Sequence, residues 1–186
     1  AHALFASARV PLKSSHFAHL AAGVEYARGS GNKVTDPATG DVKDFNALFT
    51  CRDRKKFGNI FTEDIRAGFF LWESNLANLT VYKAFLEASP AKRVTITPSF
   101  MLLRTTEDVY RGRGVVGDWS RGQATSTATT KDVGWEFDLN ATFMILDRLE
   151  GFLNFGYFKP KDAYLPPSGG QARSAQEFIL GTELKY

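Results

Sequence analysis

Gly112-Arg-Gly-Val-Val-Gly117 spells the GxGxxG pattern, which cradles a dinucleotide only where it follows a strand and opens a helix. Here it runs into Asp-Trp-Ser-Arg-Gly-Gln inside the longest Ser/Thr-rich stretch, which reads as a loop. His16 and His19 are three residues apart. On a strand that spacing puts them on opposite faces, so one reads as a turn residue and the other as a wall residue, and no zinc site is expected. Ser14, Ser15 and His16 offer a nucleophile and a base, but no acidic partner on an adjacent strand completes them. Asp36, Asp41 and Asp44 cluster around Pro37 and Gly40, where Asx turns explain them without calcium. Cys51 is the single cysteine, which excludes an intrachain disulfide and a multi-cysteine metal cluster. No catalytic residue, cofactor or metal is expected, and no enzyme.

The elements that carry these residues belong to a chain of 186 residues, 44% hydrophobic and 23% charged. That length is one domain or one barrel. Aromatic content is high, with 16 Phe, 6 Tyr and 3 Trp against 2 Met. A net charge of +3 with a pI near 9.0 is too mild to imply nucleic acid. No apolar run approaches the ~18 residues of a spanning helix. The first residues, Ala-His-Ala-Leu-Phe, have neither an initiator Met nor a signal-peptide layout. Either a signal has been removed or the chain begins partway through a longer protein.

Alternation with period 2 dominates. Trp135, Phe137, Leu139, Ala141, Phe143 and Ile145 fall on one face of a strand, and Gly134, Glu136, Asp138, Asn140, Thr142 and Met144 on the other. Gly151, Leu153, Phe155 and Tyr157 oppose Glu150, Phe152, Asn154 and Gly156 in the same way. Phe178, Leu180, Thr182, Leu184 and Tyr186 oppose Glu177, Ile179, Gly181, Glu183 and Lys185. Residues 18–26 and 93–102 alternate too, and 3–11 less sharply. Residues 76–88 alternate least, because Asn78 and Thr80 share a face with Leu76, Tyr82 and Leu86.

Short connections at 12–16, 89–92 and 146–149 take turns with long polar ones at 29–75, 105–132 and 159–175. That layout predicts an all-β, antiparallel transmembrane β-barrel of the bacterial outer membrane, with tight periplasmic turns and long external loops. An aromatic residue, Tyr186, at the end of the last strand suits such a barrel. Seven strands are visible, whereas single-chain bacterial barrels have an even number. Either residues 63–73 hide an eighth strand, or the chain is the carboxyl-terminal part of a larger barrel, which the charges of Glu63, Asp64, Arg66 and Glu73 favour. In that arrangement Arg9, Glu25, Lys83, Glu87, Arg93, Glu136, Asp138, Asn140, Glu150, Asn154, Glu177, Glu183 and Lys185 line the lumen. The carboxylates act as a cation filter, or pair across strands, for example Glu136 or Asp138 with Lys185 or Arg93. Tyr26, Trp135, Tyr157, Phe178 and Tyr186 are expected as interface aromatics. Loop 29–75 is expected to fold inward and narrow the pore on the apolar anchors Phe45, Leu48, Phe49 and Phe57.

Several motifs occur in an order that resembles the alginate-export family of outer-membrane barrels. They are GVEYARGSGN (Gly23 to Asn32), DFNALF (Asp44 to Phe49), RKKFGN (Arg54 to Asn59), SNLANL (Ser74 to Leu79), GWEFDLNATF (Gly134 to Phe143) and FGYFKPKDAYL (Phe155 to Leu165). The resemblance implies the carboxyl-terminal part of a barrel of up to about 18 strands. The loop basic cluster is Arg52, Arg54, Lys55 and Lys56, interrupted by Asp53 and preceded by Cys51, where the family often has His. The acidic wall departs from the cationic rings expected for a polyanion. The expected function is a channel for polar solutes or an exported polysaccharide, its partners being the lipid bilayer and other chains that complete or surround the barrel. The alternatives are a non-conducting barrel subunit anchoring an envelope assembly and a complete eight-stranded barrel filled by side chains.

Overall fold

The computed structural model describes residues 1–33, 43, 57–61, 76–112, 128–165 and 170–184. Seven strands form one antiparallel sheet in sequence order: β1 (Ala3–Pro11), β2 (His19–Gly29), β3 (Leu79–Ala91), β4 (Val94–Tyr110), β5 (Thr129–Leu146), β6 (Leu149–Pro160) and β7 (Ala175–Leu184). A 3-10 turn, Asp162–Tyr164, follows β6. The sheet is open, and β1 and β7 are its two edges. Among the described residues no helix is long and apolar enough to cross a membrane. The expected eighth strand at 63–73 lies outside the described residues.

The alternation becomes two sheet faces. On one, Tyr26, Tyr82, Leu102 and Trp135 fall in register, and so do Leu139, Phe155 and Phe178, and Leu153 and Leu180. On the other, Ser7, Glu25, Lys83, Met101, Glu136 and Phe158 form one row, and Arg9, Gly23, Phe85, Ser99, Asp138, Gly156 and Glu177 the next. Large apolar side chains on the first face stay exposed, including Val24, Phe100, Phe137 and Leu180. The buried core lies on the second face, towards the long-loop end, around Ala27, Leu79, Val81, Met101, Leu103, Val133 and Phe158.

Three boundaries differ from the periodicity. The weakly alternating 76–88 becomes a strand only from Leu79, because Asn78 adopts φ 52°, which Asn tolerates better than most residues. Its side-chain oxygen accepts from the Glu107 N–H at 2.8 Å, and its own N–H donates to the Ser30 carbonyl at 3.0 Å. Asn78 thus ends the long connection. β4 and β5 also extend past the expected loop boundaries at 105 and 132. The ladder shifts register between Leu103, opposite Gly134, and Arg104, opposite Asp132, and a β-bulge at Val133 absorbs the irregularity that breaks the pattern. Gly134 has φ +154°, and a Cβ at that site would meet the Lys159 carbonyl oxygen at 2.5 Å.

The facing makes a quantitative prediction. With the apolar face against a bilayer, Leu153→Arg near the midplane should cost about 2–4 kcal/mol, and Asn154→Arg distinctly less. Denaturant unfolding from phospholipid vesicles measures both. Equal losses would contradict the facing.

Candidate functional site

The most elaborate side-chain geometry is where residues 57–61 cross the polar face. Glu136, on β5, projects from the sheet and is fully buried, with 0% exposure. Its two oxygens accept the backbone N–H groups of Ile60 and Phe61, each at 2.7 Å. Asp138, one row along the same face, accepts from the Asn59 N–H at 3.3 Å and from the Ser99 hydroxyl at 3.4 Å. The Asn59 side-chain amide donates to Asn140 Oδ1 and to the Phe155 carbonyl, both at 2.9 Å. From β3, Lys83 Nζ donates to the Phe57 carbonyl at 2.7 Å. Three strands therefore hold one short segment, β3 and β5 through its backbone groups and β6 through the Asn59 side chain.

Apolar contacts close the same seat. Phe57, Ile60 and Phe61 are buried, and each fully buried side chain of this size is worth about 1.5–3 kcal/mol. The Phe61 and Phe158 rings lie 5.8 Å apart, and Tyr164 meets Phe158 edge-on at 5.9 Å. The fit is close at Gly58, where a Cβ would overlap Glu136 Oε1 and the Met101 methyl and displace one of them. Gly156 plays the matching part on β6, beneath Ile60. The Gly58 N–H donates to the Phe61 carbonyl at 3.3 Å, so the segment is a tight turn laid on the wall.

The residues singled out from the sequence divide into several groups. Glu25, Lys83, Glu136, Asp138, Asn140, Asn154 and Glu177 share the polar face of the sheet. Arg9 joins Glu87 at 2.6 Å on that face, and His19 Nε2 lies 3.1 Å from the same Glu87 oxygen. Glu150 and Glu183 pair in register near the short-turn end. Two suggested pairings are corrected. Arg93 lies in the two-residue β3–β4 turn and binds Asp147 of the next turn at 3.0 Å, and so does not pair with Glu136 or Asp138. Glu136 itself faces the 57–61 segment and not open space, because its carboxylate supplies the acceptors which that backbone needs. Lys185, Tyr186, Cys51, the cluster Arg52, Arg54, Lys55 and Lys56, and the anchors Phe45, Leu48 and Phe49 lie outside the described residues.

On the apolar face, Tyr26 meets Tyr82 at a tilt with centroids 5.3 Å apart, and Trp135 contacts Phe100 at 5.7 Å and Tyr157 at 5.4 Å. Phe178 stands apart from this row, in register with Phe155 and Leu139 nearer mid-strand. Ser14 Oγ accepts the N–H groups of His16 and Phe17 at 3.1 and 3.3 Å, a turn role. Among the described residues no group of His, Cys, Asp and Glu could hold a metal ion. Of GxGxxG only Gly112 is described, with φ +79° and its N–H on the Asp162 carbonyl at 3.0 Å. Asn59, Ile60 and Phe61 were not foreseen as site residues. The one signal pointing to them was Phe57-Gly58, an apolar anchor followed by glycine in a polar loop.

Hydrogen bonds to a charged group are worth about 1.5–3 kcal/mol each. Glu136→Ala should accordingly lower amide-exchange protection at Ile60 and Phe61 by at least about a hundredfold while the β5–β6 ladder keeps its own. Unchanged protection at both amides would show that the carboxylate does not hold the segment.

No curated protein matches the sequence. The Alginate export family model matches residues 12–176, most of the chain, and its association with export across the outer membrane fits the all-β sheet with one apolar and one polar face. By that match this chain is a member of the Alginate export family.

Proposed function

We propose that the sheet is part of the wall of a transmembrane β-barrel in the bacterial outer membrane, its apolar face towards lipid and its polar face lining a channel. Polar solutes or an exported polysaccharide pass along that face without covalent chemistry. Residues 57–61 fold onto the wall as a constriction. The observation that carries this reading is the seating of that segment against Lys83, Glu136, Asp138 and Asn140, because a loop held against its own wall narrows a lumen. The non-conducting anchor is disfavoured by the same contacts: an anchoring loop would direct Phe57, Ile60 and Phe61 at a partner.

Barrel closure follows from the edges. In lipid each unpaired backbone group costs several kcal/mol, so β1 and β7 call for further strands, from residues 63–73, from a longer chain or from partner chains. Tyr26, Tyr82 and Trp135 then sit as an interfacial girdle towards the long-loop end, which faces outward from the cell.

The lumen charges fall into two classes under this reading. Glu136 and Asp138 hold the constriction, whereas Glu177 and Glu183 have no partner among the described residues. Neutralising Glu177 and Glu183 together should reduce a modest cation preference in single-channel recordings. That effect should fade at high salt, since exposed charges are screened within ~10 Å at 0.1 M. Neutralising Glu136 should change conductance more than selectivity. An anion preference untouched by either set would place the filter outside these strands, and a protein without ion current would refute the channel.

A further inference from the structure

Beyond the constriction, towards the short-turn end, the polar face changes character. Thr97, Asn140 and Asn154 form one row across β4, β5 and β6, and Thr95, Thr142 and Phe152 the next. This block is uncharged. Asp138 and Glu177 border it on one side, Glu150 and Glu183 on the other. Among the described residues Thr97, Thr142 and Asn154 make no side-chain hydrogen bond, and none of their polar atoms is buried without a partner. They therefore reach the open side of the wall with donors and acceptors to offer.

Phe152 lies in this block, and Phe85 lies in the bordering row of Ser99 and Asp138. The end of the Phe152 ring lies over Gly181 of β7, and that of Phe85 over Gly23 of β2, where in each case a Cβ would overlap ring carbons. Glycine opposite phenylalanine lets the ring lie down along the sheet. Both rings remain partly exposed. Phe152 has Thr142 beside it across the ladder and Asn154 two residues along its own strand, and Thr97 lies diagonally from Phe85, which pairs with Ser99.

An apolar plate flanked by a hydroxyl and an amide matches the two-sided chemistry of a sugar ring. The C–H face of a pyranose packs on an aromatic ring, and its hydroxyls need partners of either polarity. A uronate would additionally need a cation; the Phe152 block contains none and acid groups flank it, whereas Arg9, in register with Gly23 beneath the Phe85 ring, is held by Glu87 at 2.6 Å. We propose that Phe152 with Thr142 and Asn154, and Phe85 with Thr97, are two subsites of a track that binds uncharged sugar residues of a polysaccharide in transit. This deepens the channel reading and rests on the polar face being the lumen wall. Weak sites repeated along the wall suit conduction, since a solute must leave as readily as it enters.

The test is interruption of ion current by added oligosaccharide, recorded on the whole protein in planar bilayers. Maltohexaose is the neutral probe and hexamannuronate the anionic one. Maltohexaose should block the wild-type channel with longer residence than hexamannuronate. Phe152→Leu, which keeps an apolar cover on Gly181 but removes the plate, should shorten maltohexaose residence by about three- to tenfold, the worth of an aromatic contact. Phe152→Tyr should restore it. Heat-modifiable migration on gels confirms that each variant is folded, and Leu180→Ala on the apolar face should leave residence unaltered. Equal residence in wild type and Phe152→Leu would overturn the ring subsite. Preferential block by hexamannuronate would overturn the neutral-sugar assignment. Absence of any ion current would overturn the channel itself, and the track with it.

Discussion

A carboxylate buried under a loop and two backbone N–H groups that lack a sheet partner are each costly alone, by about 1–3 kcal/mol or more per group. Together, as Glu136 with Ile60 and Phe61 at 2.7 Å, they satisfy one another. The rest of the site is arranged around that exchange. Asp138 and Asn140 extend it along β5 to Asn59, Lys83 caps the Phe57 carbonyl from β3, and Gly58 and Gly156 supply the close approach. Phe57, Ile60 and Phe61 can then bury against Met101, Leu103 and Phe158. Without the polar clasp, only the apolar contacts with this core would hold the segment on the face.

The sheet makes such a clasp possible because period 2 sends every second residue to the same side. Lys83, Met101 and Glu136 come from three different strands but share one row, so charges distant in sequence converge. The opposite side pays no such attention to polarity: it presents Val24, Phe100, Phe137 and Leu180 outward, the signature expected of a wall against lipid. Surface ion pairs such as Arg93 with Asp147, exposed on both sides, add little stability and mark the tight turns only.

Strand existence and facing were legible in the sequence wherever alternation was clean, as in β5, β6 and β7, since one inverted residue would place a charge among the apolar side chains. The ends of β3, β4 and β5 were not. Asn78 could adopt a left-handed backbone and the bulge at Val133 could shift a ladder, and neither leaves a periodic trace. Glu136 and Asp138 were legible as wall residues but not as clasp residues, because what they hold is backbone. A carboxylate binding N–H groups places almost no demand on the side chains at 60 and 61. Only Phe57, Gly58 and Asn59, an anchor, a close approach and a side-chain amide, carried the contact in residue type.

The central claim is that residues 57–61 sit on the wall and thereby narrow the passage. A reversible cross-link tests it most directly. In a Cys51→Ser background, Asn59→Cys and Asn140→Cys replace a side-chain pair joined at 2.9 Å, and a short, reducible bis-methanethiosulfonate bridges the two thiols, since a direct disulfide needs Cα atoms within about 7 Å. The account predicts that the treated protein forms this link in high yield and holds a low, quiet conductance. Reduction should release the segment and raise the current. Failure of the two cysteines to join, or a current indifferent to their joining, would contradict it.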